Sequence, residues 1–392
     1  MRLLVVGHTY VTSFSQSKYV AMKKLEPSLQ LRLIVPREVT HVFMDYKPEI
    51  NPGLEPEEVV PLPAILNQSH MTRILHPARL AALMKTFNPD HIHIEEDPHS
   101  LVGVETVFIT QRVCPQATIS FFIWDNLART PRFPLSLIKR LFTRYSFRRC
   151  ELVVCGNADG QRLLTEAKCY TGNSLVLPQV GLDPDEYISP LRPDLPELLA
   201  RRNNVPLIGF LGRMVPEKGV FLLLEALSRL WTIKWKLLLV GNGPLREAIH
   251  EHWQSRFGDR LITMDAIPHK AVSQYLRCLD IFVLPSYSIP TWKEQFGLTL
   301  VQAMMGGVAC IGSSSGAIPE VMGSGGLIFK EQDVDDLTCG LKRMLESERL
   351  RRELGQKARA FALRYTNSAV ASAYLTVFNS LLATSRNRHW LL

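Results

Sequence analysis

The chain has 392 residues, of which 46% are hydrophobic and 21% are charged, and its formal net charge is +8. This composition excludes a disordered chain, and the length favours two domains, because a domain usually has about 100–200 residues. No apolar run reaches the ~18 residues that a membrane-spanning helix needs. The modest positive charge is compatible with an anionic partner.

The first residues, MRLLVVGHTYV, contain an apolar run that is too short for a signal peptide and fits a first buried strand. The seven cysteines are dispersed and lack the spacing of a zinc site. A dispersed and odd set of cysteines is typical of reduced thiols. The sequence therefore predicts a cytoplasmic protein.

Short apolar segments alternate with helical patterns through residues 1–180 and predict a parallel sheet. Most of these segments are continuously apolar, which is typical of strands that helices cover on both faces. The predicted strands are 2–6, 31–35, 90–94, 117–123, 151–155 and 174–177. We expect residues 1–180 to form a Rossmann-like domain.

Polar residues follow the third and fourth of these strands. The segment HIHIEED, residues 91–97, ends a strand with three acids, among them Glu95 and Glu96. Alternating histidines followed by acids leave two interpretations open, a metal site or polar side chains that enter a cleft and hydrogen-bond a ligand, and we favour the second. The strand 117–123 runs into Asp125 and Asn126, which are further polar candidates.

Residues 132–149 contain six basic residues and no acid. On a helix, Ile138, Leu141, Phe142 and Tyr145 would share a face. One interpretation is a core-facing helix with a solvated basic side. The other is an amphipathic helix on an anionic membrane surface, which would make the protein peripheral at the inner face of the membrane.

The proline-rich segment 181–206 separates the two halves, and we interpret it as an interdomain linker because proline disfavours helices and central strands. It contains Asp183-Pro184-Asp185, which has the spacing of a metal-binding DxD motif. We interpret these acids as turn residues.

The second half repeats the alternation of strands and helices. The predicted strands are 207–211, 235–240, 260–264, 280–284, 308–311 and 326–329, and helices follow over 333–347, 348–364 and 367–384. We expect residues 207–364 to form a second doubly wound α/β domain and residues 365–392 to form a helix that returns to the first.

Two motifs of the second half indicate an anion site. The strand 207–211 runs into Gly212 and Arg213, and a short loop then reaches Lys218. Two cations at one strand end can neutralise a diphosphate. Further on, Glu294 precedes Gly297, which opens a helix whose free backbone N–H groups can bind an anion.

The motifs continue as Ala-Met-x-x-Gly, Gly-x-x-Pro-Glu-Val and Gly-Gly-Leu-Ile-Phe, and in this order they resemble the family-four retaining glycosyltransferases, or glycosyl transferases group 1. The resemblance covers nearly the whole chain and is strongest over residues 205–330. It implies the GT-B architecture, in which two Rossmann-like, doubly wound parallel-sheet domains face each other across a cleft. The first domain would hold the acceptor and the second the donor.

The resemblance also implies roles for single residues. Arg213 and Lys218 would bind the donor diphosphate and Glu294 would contact the transferred sugar, so these three form the predicted catalytic set. The remaining predicted donor-site positions, which would contact the base, ribose, phosphate or sugar, are Gly212, Gly243, Ile267, Phe296, Gly297, Leu298 and Gln302. On the acceptor side the candidates are Glu95, Glu96, Asp125 and Asn126.

One position departs from the family pattern, because Gln302 stands where the family has a second glutamate. A glutamine amide can still hydrogen-bond a ribose hydroxyl, so we expect altered donor binding rather than an inactive site. The expected reaction is metal-independent, front-side transfer with retention. The expected partners are a nucleotide-sugar donor and a glycan or lipid-linked acceptor, with no cofactor, no metal and no nucleic acid.

Three other functions fit parts of the sequence. A nucleotide-sugar epimerase of the same fold would bind the donor without an acceptor, and a non-catalytic subunit would explain Gln302. A nicotinamide-dependent dehydrogenase fits less well, because no GxGxxG follows the first strand.

Overall fold

The computed structural model describes residues 1–41, 44–66, 69, 71–128, 133–167, 170–190, 195 and 205–389. The chain forms two compact units. The first comprises Met1–Gly181 and Asn367–Leu392, and the second comprises Leu182–Thr366. The chain therefore leaves the first unit once and returns to it with its last helix.

A seven-stranded parallel sheet forms the centre of the first unit. In spatial order its strands are Asn173–Val176, Leu152–Cys155, Thr118–Ile123, His91–Ile94, Arg2–Val6, Gln30–Pro36 and Val59–Leu62. All six predicted strands are present. The seventh strand, Val59–Leu62, was not predicted; it is short, contains a proline and lies at the edge of the sheet, where a missing N–H is tolerated.

Helices cover this sheet and account for the continuous burial of its central strands. They are Ser13–Leu25, Pro77–Phe87, Leu101–Val113, Leu135–Phe147, Ala158–Glu166 and Asn367–His389, with 3₁₀ turns at His8–Val11 and Pro56–Glu58. Small antiparallel pairs join Val39–His41 to Met44–Tyr46 and Ala64–Ile65 to Ile74–Leu75. The last helix, Asn367–His389, packs against Ser13–Leu25.

A six-stranded parallel sheet forms the centre of the second unit. In spatial order its strands are Leu261–Met264, Lys236–Val240, Leu207–Leu211, Ile281–Leu284, Ala309–Ser313 and Gly326–Phe329. Numbered along the chain, this order is 3-2-1-4-5-6, the doubly wound Rossmann order. The sheet of the first unit follows the same rule with one additional strand, so the predicted α/β class is confirmed.

The second unit has helices at Val220–Ser228, Arg246–Ile249, Ser255–Phe257, His269–Leu276, Leu298–Met305, Ile318–Met322, Val334–Glu346 and Glu348–Ala362. A π-helical segment spans His250–Gln254, and 3₁₀ turns span Pro184–Tyr187, Pro216–Lys218, Gly258–Arg260 and Leu363–Tyr365. No described helix of either unit is both long enough and apolar enough to cross a membrane.

The predicted linker 181–206 differs from the structure in its first part. The amide of Leu182 donates to the carbonyl of Tyr365 at 2.8 Å, and Tyr187 is buried, so residues 182–187 pack as part of the second unit. Pro184 opens the 3₁₀ turn, where proline lacks only an N–H that would have no helical partner. Residues 191–194 and 196–204 of the predicted linker lie outside the described residues.

Candidate functional site

In the second unit, the loops after the first two strands lie in direct backbone contact. The amide of Met214 donates to the carbonyl of Asn242 at 2.9 Å. A Cβ at Gly241 would lie 1.9 Å from the carbonyl oxygen of Gly212, and one at Gly243 would lie 2.4 Å from that of Met214. Both glycines have positive φ, so the two loops can approach this closely only with glycine at these positions.

Lys218 is held at the carboxyl edge of the same sheet. It ends the 3₁₀ turn Pro216–Lys218, and Gly219 continues the chain with φ +71°. A Cβ at Gly219 would lie 2.0 Å from the carbonyl oxygen of Pro285, so the loop of Lys218 rests on the loop after the neighbouring strand. Arg213 follows the strand Leu207–Leu211 at this edge and is exposed.

Lys218 and Glu294 form an ion pair in the second unit. Lys218 Nζ lies 2.7 Å from Glu294 Oε2, and the hydroxyl of Ser286 donates to the same oxygen at 3.0 Å. The ammonium also lies 4.8 Å from the ring centroid of Trp292. Only 16% of the Lys218 side chain and 8% of the Glu294 side chain are exposed, which reduces screening by solvent.

Gly316 fixes the backbone of Glu294. The amide of Ala317 donates to the carbonyl of Glu294 at 3.0 Å. Gly316 has φ +53°, and a Cβ there would lie 2.1 Å from the same carbonyl oxygen. No role was predicted for Gly316, Ser286 or Trp292. Gly316 opens the Gly-x-x-Pro-Glu-Val motif, so this motif was the signal that could have identified it.

Gly297 opens the helix Leu298–Met305, as the sequence predicts, and the structure gives it a φ of +76°. The first N–H groups of a helix lack intrahelical acceptors, and the helix dipole makes them attractive to anions. Glu294 Cγ lies 3.9 Å from the position that a Cβ at Gly297 would take, so the ion pair and the helix start belong to one site. Phe296 is buried and its ring packs edge-on against Tyr365, with a centroid distance of 5.7 Å, so only its backbone can serve a ligand.

The two positions predicted to bind ribose and base differ in accessibility. Ile267 is half-buried in the loop between Leu261–Met264 and the next helix. Gln302 is only 2% exposed. Burial raises the pKa of Tyr187, and the neighbouring Gln302 side chain opposes part of that rise. Gln302 therefore packs inside the second unit, and a ribose contact from it stays a prediction.

The structure places Glu95 in the core of the first unit, which corrects its predicted position at an acceptor surface. Its side chain and that of Lys18 are both fully buried, with Nζ and Oε1 2.9 Å apart, and the hydroxyl of Tyr19 donates to the same oxygen at 2.9 Å. Burial alone would raise the pKa of Glu95, but Lys18 and His93 hold it well below its usual range. Glu95 is a structural carboxylate, because nothing reaches it from solvent.

Glu96 is also engaged within the protein. Its Oε1 accepts hydrogen bonds from the backbone N–H of His8 and lies 2.8 Å from His8 Nδ1, and only 2% of its side chain is exposed. Burial would raise the pKa of Glu96, but His8 lowers it. Glu96 therefore fixes the loop after the first strand, and Asn126, 5% exposed, is similarly covered.

A pocket of about 440 Å³ lies in the first unit where the strands His91–Ile94 and Thr118–Ile123 end. Asp97 and Asp125 line it together with Lys139 and apolar side chains such as Leu163. Burial raises the pKa of Asp97 to about 7, and Asp125 and Glu96 add to the rise. Among the predicted acceptor-side residues only Asp125 lines this pocket. Asp97, the third acid of the segment 91–97, was missed.

Among the described residues, no group of three or more His, Cys, Asp or Glu side chains is placed to hold a metal ion. A second pocket, of about 370 Å³, lies beside Pro206, Asp280 and Arg351 at the amino edge of the second sheet, away from Lys218, and we assign it no role.

Residues 192–361 match the sequence profile of the family described as Glycosyl transferases group 1. The chain carries a glycosyl transferases group 1 domain. The predicted family resemblance is thereby confirmed. The Lys218–Glu294 pair, Gly316 and the helix Leu298–Met305 all lie within the matched segment.

Relatives of this group 1 domain include named transferases. Over 299 residues the chain is 26% identical to sulfoquinovosyl transferase SQD2 of Arabidopsis thaliana, an alignment that covers 73% of this chain and 56% of the relative. It is 30% identical over 220 residues to an MMP alpha-(1->4)-mannosyltransferase of Mycolicibacterium hassiacum, covering 53% of this chain and 52% of the relative. The chain thus spans about half of the length of these relatives.

Solved structures with the same fold cover nearly the whole chain. Anabaena Alr3699/HepE in complex with UDP superposes with a TM-score of 0.71 and 16% identity, over 97% of this chain and 100% of that one. A glycosyltransferase from Rickettsia africae superposes with a TM-score of 0.73 and 16% identity, over 97% and 98%. At this identity the likeness concerns the fold, and it confirms the predicted GT-B class.

Proposed function

We propose that the protein is a retaining glycosyltransferase that moves a hexose-type sugar from a nucleoside diphosphate to a hydroxyl of a glycan or lipid-linked acceptor. The main support is the Lys218–Glu294 ion pair beside the helix start at Gly297. A cation, a carboxylate and free backbone N–H groups within one site match a diphosphate and a polyhydroxylated sugar. The UDP and UDP-glucose complexes of Alr3699/HepE are consistent with such a donor.

In the proposed donor complex, the diphosphate replaces Glu294 as the partner of Lys218. Arg213 and the first N–H groups of the helix Leu298–Met305 contribute further positive potential. Glu294 then accepts hydrogen bonds from hydroxyls of the sugar. The ion pair keeps both side chains in place before the donor binds, which lowers the cost of organising the site.

In the proposed reaction, the bond between the anomeric carbon and the diphosphate oxygen breaks, and negative charge grows on the diphosphate. The acceptor oxygen bonds to the anomeric carbon from the same face, and its proton passes to the departing phosphate oxygen. The products are a glycoside of unchanged anomeric configuration and a nucleoside diphosphate. Lys218 and Arg213 stabilise the developing charge, so this scheme requires no metal.

We propose the 440 Å³ pocket of the first unit as the acceptor site. The Asp125 carboxylate can accept hydrogen bonds from sugar hydroxyls, whereas Asp97, whose pKa is raised to about 7 by burial, can also donate one near neutral pH. Apolar neighbours such as Leu163 suit the carbon face of a sugar or a lipid linker. We propose that the protein acts in the cytoplasm, as a peripheral protein at the inner face of the membrane.

Calorimetric titration with UDP-, GDP- and ADP-glucose, with and without EDTA, tests the donor site. We expect saturable binding of one nucleotide class that EDTA does not change. Lys218→Ala should weaken this binding and lower turnover about 10²-fold or more, because a preorganised charge is lost. Lys342→Ala is the matched control, since that lysine is 57% exposed on the helix Val334–Glu346 and is not part of the proposed site.

The outcomes separate the alternatives. If no nucleotide sugar binds, a non-catalytic relative becomes the better description. If the donor binds and is epimerised without an acceptor, the epimerase is correct. NMR of the glycoside formed from an α-linked donor reports the anomeric configuration, and a β-linked product would contradict retention.

A further inference from the structure

The outward side of the helix Leu135–Phe147 is apolar over its first two turns. Leu137, Ile138 and Leu141 are 47%, 43% and 55% exposed. The opposite side of the helix holds Ser146 and Phe147, which are buried. This exposure contradicts the first interpretation of residues 132–149, in which the helix packs its apolar residues against the core and exposes only its basic residues.

The exposed apolar residues are concentrated here. Phe133 and Leu135 are 81% and 61% exposed, so five large apolar side chains lie open within nine residues. The other exposed large apolar side chains of the described chain are scattered over both units. Single exposed apolar residues are ordinary, but a cluster of this kind is typical of a binding surface.

Basic residues share the outward side of this helix. Leu137, Leu141, Arg144 and Arg148 follow one another at spacings of four, three and four, so they form one stripe along the helix. Arg140, Arg144 and Arg148 are exposed. The sequence from 126 to 150 contains no acid, so nothing within this segment compensates their charge.

We propose that this surface, Phe133 to Arg148, docks the protein on an anionic lipid bilayer. A bilayer presents an apolar layer beneath an anionic surface, which matches apolar side chains at one end of the stripe and arginines at the other. The docking does not depend on the reaction that the protein catalyses.

The same helix also contributes to the pocket of the first unit. Lys139 and Thr143, from its other side, line the pocket with Asp97 and Asp125. Docking through the outward side would therefore keep this pocket close to lipid headgroups. If the proposed function is correct, the acceptor is a saccharide or polyol carried on a membrane lipid.

Co-sedimentation of the full chain with vesicles tests the docking. We expect binding to phosphatidylcholine vesicles that contain phosphatidylglycerol, weaker binding without phosphatidylglycerol, and a decrease as salt is raised. The combined variant Leu137→Gln, Ile138→Gln, Leu141→Gln and the combined variant Arg140→Gln, Arg144→Gln, Arg148→Gln should each bind at least about tenfold more weakly. Lys139 is left unchanged because it lines the pocket.

A matched control replaces three exposed apolar residues elsewhere, Leu25, Ile188 and Leu363, with glutamine; they are 51%, 59% and 51% exposed. This control should bind vesicles like the wild type. Absence of wild-type binding, or equal binding by all variants, would overturn the proposal. Donor titration of the same samples shows separately whether the transferase proposal holds and whether the variants are folded.

Discussion

At the scale of single residues, Gly316 holds Glu294 through a backbone contact that any side chain would disturb. A Cβ would lie 2.1 Å from the carbonyl oxygen of Glu294. We expect Gly316→Ala to shift Glu294 away from Lys218 and lower transfer activity roughly 10²-fold, because small displacements at a reacting centre have effects of this size. Steady-state kinetics with the donor identified by calorimetry measure the loss.

Gly258 provides the control for this substitution. It has φ +56°, close to the +53° of Gly316, but no atom lies within 4 Å of the position of its Cβ. Gly258→Ala therefore places an alanine at positive φ without the contact and should lower stability but not activity. Equal activity losses in both variants would show that strain, rather than the position of Glu294, is responsible.

Asp97 predicts a pH dependence of stability. Burial raises its pKa from 3.8 to about 7, and Asp125 adds to the rise. Because the unfolded chain loses this proton first, ionisation favours the unfolded state, and the contribution of Asp97 to stability falls as pH rises from about 4 to about 7. Above about pH 7 this penalty is constant.

Asp97→Asn should remove that decrease, so its melting temperature relative to the wild type should rise between pH 4 and 7 and then level off. The melting temperature of the variant must be compared with that of the wild type at each pH, because burial also raises the pKa of Glu105 to about 7 in both proteins. Asp335→Asn, at a side chain that is 91% exposed, is the control. If the melting temperatures of Asp97→Asn and the wild type change in parallel with pH, the raised pKa of Asp97 is refuted.

The acids of the segment 91–97 are residues whose surroundings could not be predicted from the sequence. Strand alternation could not decide which of these acids faces a pocket. The side chain that pairs with Glu95 in the core is Lys18, which lies 77 residues earlier in the chain. Glycines were easier to interpret. Gly297 starts its helix as predicted, since a left-handed residue before an apolar helical pattern is a local property.

At the scale of elements, the Lys18–Glu95 pair joins the helix Ser13–Leu25 to the loop that follows the strand His91–Ile94. Both side chains are fully buried. Lys18→Met would leave the Glu95 carboxylate without its main partner, and we expect a loss of about 3–5 kcal/mol in the free energy of unfolding. Urea denaturation measures this loss.

Lys23, on the same helix, is the matched control. It pairs with Glu58, but 26% of its side chain is exposed. Lys23→Met should cost only about 0–1 kcal/mol, because water replaces a partly exposed partner. The double variant Lys18→Met, Glu95→Leu should recover much of the loss of the single variant. A Lys18→Met loss as small as that of Lys23→Met would contradict a buried ion pair.

Elements were predictable where burial alone determines them. All twelve predicted strands are present within one or two residues, because parallel strands covered on both faces are continuously apolar. Val59–Leu62 escaped because an edge strand with a proline has no such signal. The prolines of 181–206 indicated a break in regular structure, but they did not reveal that Leu182 and Tyr187 are buried in the second unit.

At the scale of the whole molecule, the last helix supplies part of the core of the first unit. Val370, Tyr374 and Phe378 on Asn367–His389 are at most 1% exposed and belong to the core of the first unit. Burying each large apolar side chain contributes about 1.5–3 kcal/mol. Three such side chains together approach the 5–15 kcal/mol that typically separates the folded from the unfolded state.

A chain that ends after Thr366 should therefore lose the folded first unit and keep the second. In the described part of the chain, a large hydrophobic cluster of the second unit consists of residues between Ile208 and Leu354, so this cluster does not need the last helix. We expect calorimetry to show the loss of one unfolding transition, and limited proteolysis to cleave within 1–181 while 205–366 resists. A chain that ends after His389 is the control and should unfold like the full protein. Protection of 1–181 in the shorter chain would mean that strand burial alone supports the first unit, and that the return of the chain serves some purpose other than stability.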